Sequence, residues 1–112
     1  MSTTTEAKAA AKRAKLKPVH PGEILREEFL GPMGITPYAL AKAAQVPRTR
    51  IERLVREETP VTADTALRLE RVLGVDAGFW TNLQAAYDLR AAELENGAAY
   101  RELKRIEASP HS

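Results

Sequence analysis

Residues 43–55 read AAQVPRTRIERLV. A helical pattern stops at Val46-Pro47 and restarts at once, now with Arg48, Arg50 and Arg53. Proline fixes its own φ and pushes the residue before it out of the α region, so a helix ends there. Beyond the break, Ile51, Leu54 and Val55 stand at i, i+3 and i+4, one apolar stripe. With that stripe turned inward, Arg48, Thr49, Glu52, Arg53 and Arg56 face outward. Of these, Thr49, Arg53 and Arg56 fall at i, i+4 and i+7, on one polar side. Either the charges only solubilise a surface helix, or the helix is built to meet a polyanion.

The flanking segments carry start and stop signals for further helices. Thr36-Pro37 supplies an N-cap and a first-turn proline, and Tyr38, Leu40 and Ala41 open a short helix that reaches about Ala44. Upstream, HPGEILREEFL places Pro21 in a first turn and Ile24, Leu25 and Phe29 on one side, with Gly31, Pro32 and Gly34 ending it. Downstream, Glu57-Glu58-Thr59-Pro60 reads as a loop. Thr62 caps a fourth helix whose Leu67, Leu69, Val72 and Leu73 face inward before Gly74 stops it. Asp76 caps a fifth that carries Phe79, Trp80, Leu83, Tyr87 and Leu89 and extends to Leu94. Asn96-Gly97 interrupts the pattern, with a sixth helix through Tyr100, Leu103 and Ile106 as an option. No strand-like alternation and no internal repeat appear, so the chain reads as all-α. Residues 1–17 offer little beyond Leu16 to bury and are expected to be a disordered tail or frayed helix.

A length of 112 residues gives one domain with a modest core, and with only six aromatics leucine, alanine and valine do most of the packing. The net charge of +2 hides an asymmetry. Residues 1–17 hold five basic side chains against one acidic, residues 42–56 again five against one, and residues 57–112 six against ten. Two basic patches and an acidic C-terminal half suggest two kinds of partner, although uneven surface charge alone gives the same count. No apolar run approaches the roughly 18 residues that cross a bilayer, and nothing at the N-terminus reads as a signal peptide. Cysteine is absent, which excludes disulfide and thiol chemistry and fits a cytoplasmic protein.

Catalysis finds no support. His20 and His111 are the only histidines, and no spacing resembles a metal site, a Gly-rich phosphate loop or a nucleophile–base pair. The adjacent pairs Glu27-Glu28 and Glu57-Glu58 read as solvating acids. No cofactor and no metal are expected.

The stronger pattern is a helix-turn-helix, two short helices joined by a tight turn with the second presented to a DNA major groove. Ala41 is small where the helices cross, Val46 plugs the turn, and Leu40, Ile51 and Leu54 form a shared core. Arginine donates two parallel hydrogen bonds to guanine, and threonine reads thymine or a phosphate, which makes Arg48, Thr49 and Arg53 the candidate base readers. Lys42, Arg50 and Arg56 sit on the flanks as candidate phosphate contacts.

HPGEILREEFL, TPYALAKAAQV, VTADTALRLERVLG and GFWTNLQAAYDLR, in that order, resemble the HigA-type (VapI-like) addiction-module antitoxins, Xre/Cro-C1 helix-turn-helix proteins. The resemblance spans about residues 18 to 94. It implies a five-helix Cro/C1-like (lambda-repressor-like) fold with a C-terminal helical extension, a helix-turn-helix domain over 18–75 and C-terminal helices over 76–108 for a homodimer. It further implies repression of the chain's own operon at a palindromic operator and neutralisation of a RelE-like mRNA-cleaving toxin. Arg48, Thr49 and Arg53 match the base-reading places of that family. Pro37 stands where members often hold a DNA-contacting glutamine, and Gln45 where glycine is common because the turn tends toward φ > 0.

A ribonuclease is basic, so acidic antitoxin surface complements it. Glu23, Glu27 and Glu28 and the acidic C-terminal half are toxin-binding candidates, against the plainer reading that they solvate exposed faces. Phe79 and Trp80, about 100° apart on a helix, cannot point the same way. One is expected in the core and the other at a dimer seam of Phe79, Trp80, Leu83 and Tyr87, unless both are buried in one core. Two rivals stay open: a solitary Xre-type regulator without a toxin, and a protein-interaction module that no longer reads DNA.

Overall fold

The computed structural model describes residues 17–108, and residues 1–16, where most of the basic tail lies, fall outside the described residues. Five helical segments and no strand occur among the described residues. The first, α1, runs without a break through Pro21–Ile24, a π-helical stretch Leu25–Leu30 and a closing turn Gly31–Met33. Then follow α2 (Pro37–Ala44), α3 (Arg48–Val55), α4 (Ala63–Leu73) and α5 (Ala77–Glu102).

His20 starts α1, its Nδ1 accepting a hydrogen bond from the Gly22 N–H at 2.9 Å, with Pro21 in the first turn. A Cβ on Gly22 would lie 1.8 Å from the Leu54 carbonyl oxygen, so only glycine lets α1 approach the end of α3 this closely. Gly31 and Pro32, expected to end α1, continue it. Pro32 lacks an N–H and its ring crowds the carbonyl four residues back, and the wider π turn just before it relieves that clash. Gly34, at φ 66°, supplies the left-handed stop.

Thr36 caps α2 by accepting from the Ala39 N–H at 3.1 Å, and Thr62 caps α4 by accepting from Thr65 N–H at 3.3 Å. Asp76 begins α5 through the Gly78 N–H at 2.9 Å. Leu25, Leu30, Leu40, Ile51, Leu54, Leu69 and Trp80 build one core, with Ala41 and Ala66 where helices meet closely.

Two expectations about burial change. Leu67 is 56% exposed, because the inner face of α4 is set by Thr65, Ala66 and Leu69, which puts Leu67 about a quarter turn outside it. Trp80, a candidate for the dimer seam, is fully buried in this chain's own core, packed on Phe29 with ring centroids 5.2 Å apart, so no surface of it is left for a partner. Phe79, on the neighbouring helical position, is the exposed member of the pair.

The expected break at Asn96-Gly97 is a kink. Asn96 leaves helical geometry at φ −129°, ψ 18°, yet α5 resumes to Glu102, and Leu103 and Ile106 lie beyond it, exposed. The buried residues of α5, Trp80 and Gln84, both fall in its first third, so the remainder extends past the core with Leu89, Leu94 and Tyr100 exposed.

Candidate nucleic-acid interface

The turn between α2 and α3 closes through two backbone bonds, Val46 N–H to Ala41 O at 3.0 Å and Gln45 N–H to Lys42 O at 3.2 Å. This Schellman pattern needs a left-handed residue, and Gln45 takes it at φ 58°, ψ 47°. Pro47 then sets the extended step into α3. The turn is also braced from α4. The Arg68 guanidinium donates to the carbonyls of Ala44 at 2.9 Å and Gln45 at 3.4 Å, satisfying acceptors that the end of α2 leaves open.

At the other end of α3, Arg26 of α1 plays the same part. Its guanidinium donates to the Val55 carbonyl, and also reaches Glu57 at 3.3 Å and Glu27 at 2.9 Å. Glu57 has φ 64°, and the Arg26 contact holds this left-handed residue in place. Arginines from the two flanking elements therefore brace the turn that leads into α3 and the C-terminal end of α3 itself.

Between these braces, Ile51, Leu54 and Val55 are buried and Arg48, Thr49, Arg50, Arg53 and Arg56 are exposed, as the sequence spacing requires. Lys42 is exposed at the end of α2. The arginines are not equivalent. Arg48 pairs with Glu52 at 3.2 Å and lies 5.8 Å over the ring of Tyr38, an exposed side chain of α2. Arg50 pairs with Asp64 at 2.5 Å, and Asp64 also takes Arg68 at 2.9 Å. Hydrogen bonds from Arg50 and then Arg68 hold the Asp64 carboxyl below its ordinary 3.8. Among the described residues no carboxylate pairs with Arg53, Arg56 or Lys42. Thr49, Arg50 and Arg53 form one wall of an open groove of about 450 Å³, with Thr59, Thr62 and Asp64 on the other.

Sequence reading missed Arg26, Asp64, Arg68 and Tyr38, of which only Tyr38, one position after the Pro37 start, had a local signal. Of the acidic candidates, Glu27 and Glu28 are exposed and Glu23 is half-buried, with Glu27 already in contact with Arg26. Among the proposed seam residues, Leu83 is half-buried, and Tyr87 is half-buried with its ring edge-on to His20 at 4.9 Å. No described helix is long and apolar enough to cross a membrane, and no described cluster of His, Asp and Glu could hold a metal ion.

A short helix, a left-handed turn and a second helix with one buried and one basic face define a helix-turn-helix protein. The chain belongs to that family, in its Xre-type branch with the HigA antitoxins: the helix-turn-helix family model matches residues 25–80. It is 55% identical over 85 residues to virulence-associated protein I of Dichelobacter nodosus, covering 76% of this chain and 79% of that one. It is 44% identical over 78 residues to antitoxin HigA-1 of Vibrio cholerae, covering 70% and 73%. The antitoxin HigA of Pseudomonas aeruginosa, solved with the higBA promoter, superposes with a TM-score of 0.78 at 42% identity over 81% of this chain and all of that one.

Proposed function

We propose that this protein is the antitoxin of a HigBA-type module, a cytoplasmic autorepressor that binds its operator as a homodimer and neutralises a RelE-like ribonuclease. The observation that carries this is the exposed basic face of α3, braced at its leading turn and its C-terminal end, in a chain whose fold matches an antitoxin solved with its promoter. Arg48, Thr49 and Arg53 read bases, while Lys42 and Arg56 meet phosphates and thereby fix register. Arg50 reaches a phosphate only by leaving Asp64. A single recognition helix reads only a few base pairs, so two copies meeting along α5 supply the second half-site. Phe79, Leu83 and Tyr87, continued by the exposed Leu94, form that seam without Trp80. Glu23, Glu27 and Glu28 face the toxin.

The test has two parts. The protein should shift a duplex from the region upstream of its own gene, and should co-purify with the product of an adjacent small basic reading frame while rescuing growth from it. A shift without any such partner turns the reading toward a solitary regulator.

A further inference from the structure

We propose that Asp64 is a specificity determinant of the DNA-reading surface, acting by pairing with Arg50 so that this arginine favours a correctly placed phosphate. The inference rests on the DNA-binding reading above. Asp64 stands in the first turn of α4, outside the helix-turn-helix, with its carboxylate shared by Arg50 at 2.5 Å and Arg68 at 2.9 Å. Arg68 is itself tied to the Ala44 and Gln45 carbonyls, so Asp64 is bound to a group anchored on the turn. It thus holds Arg50 at a set place across the groove that also contains Thr49 and Arg53.

The consequence follows from how phosphates are bound. An unpaired arginine on this face attracts any duplex equally and adds to binding without adding information. An arginine already held by a carboxylate gains less from a distant or misaligned phosphate. The pair is solvent-exposed and hence weak, so a phosphate lying where Asp64 now lies displaces it. That arrangement occurs only when the flanking base contacts have set the register. Asp64 therefore subtracts from non-specific binding more than from operator binding.

The experiment compares the full chain with its Asp64→Asn variant, by fluorescence anisotropy, on the upstream duplex and on a scrambled duplex of equal length. Salt is varied from about 50 to 200 mM. Expected results are severalfold tighter binding of the scrambled duplex, a salt slope steeper by about 0.9 per protomer, and a smaller ratio of operator to scrambled affinity. Adding Arg50→Gln should cancel all three changes. The inference is overturned if Asp64→Asn leaves slope and ratio unchanged, whether affinity is retained or both duplexes weaken together with a lower melting temperature. The second pattern would make Asp64 a brace for α4 alone. If the unaltered protein shows no preference for the upstream duplex, the DNA-binding reading itself fails, which that control reports separately.

Discussion

The guanidinium of Arg26, on α1, closes the C-terminus of the recognition helix by donating to the carbonyl of Val55, 29 residues further along the chain. It also ties down the left-handed Glu57 that carries the chain out of α3. A hydrogen bond from a charged donor is worth about 1.5–3 kcal/mol, and partial exposure of this one brings it toward the lower end. Arg26→Met, which keeps the aliphatic stem, should therefore lower stability by about 1 kcal/mol, read as the shift in urea midpoint at constant slope. An unchanged midpoint would show that the clamp contributes nothing.

DNA contacts should separate by position on α3. Arg48→Ala and Arg53→Ala should each weaken operator binding by about 1–3 kcal/mol and relax base preference. Arg56→Ala should instead weaken all duplexes alike and reduce the salt slope by about 0.9 per protomer. Because Arg48 also rests on Tyr38, Tyr38→Ala should reproduce part of the Arg48 loss. Gel-shift titrations that cannot tell these variants from the parent would favour the protein-interaction reading.

Gln45 adopts the left-handed conformation at the turn and is exposed. A residue with a Cβ is strained there, so Gln45→Gly should raise stability by a few tenths to about 1 kcal/mol. The gain is smaller than the strain relieved, since glycine also loosens the unfolded chain. A lower melting temperature for the glycine variant would mean that the Gln45 side chain has a contact of its own.

Acid should act through His20. Burial holds its imidazole below the ordinary 6.5, against the opposing pull of Glu57, the Thr59 backbone and Asp88. Nδ1 must stay unprotonated to accept from Gly22. Unfolding releases a histidine that binds a proton more readily, so this contribution is complete above pH 6.5 and declines as the pH falls below it, toward the folded value. His20→Asn keeps an N-cap acceptor without titrating. Melting temperatures should fall less between about pH 7 and 5.5 for the Asn variant than for the parent, and parallel losses would exclude His20 as the titrating group.

Short-range signals were enough to place the helix-turn-helix. Thr36-Pro37, Thr62 and Asp76 acted as the starts they promised, and Val46-Pro47 marked the turn. Ile51, Leu54 and Val55 alone decided which side of α3 carries charge, because a helix repeats on a fixed period. Continuation was harder to read. Gly31, Pro32 and Asn96 look like breakers, but a π turn and a kink let the helix pass through them.

By itself, then, the sequence determined the helix starts, the turn and the basic face, all set by residues a few positions apart, while the left-handed place of Gln45 was implied by the family resemblance. Only the tertiary structure decided which of Phe79 and Trp80 is buried, since both satisfy the same local pattern and both rings reach Phe29, while Trp80 alone is fully enclosed by the core. It alone, too, joined Arg26 to Val55, Arg68 to Ala44 and Asp64 to Arg50. Those contacts bridge 29, 24 and 14 positions, a span over which no helical period carries information. The candidate DNA-contacting arginines are visible in the sequence; Arg26 and Arg68, which brace α3 and the turn before it, and Asp64, which pairs with Arg50, appear only once the chain has folded.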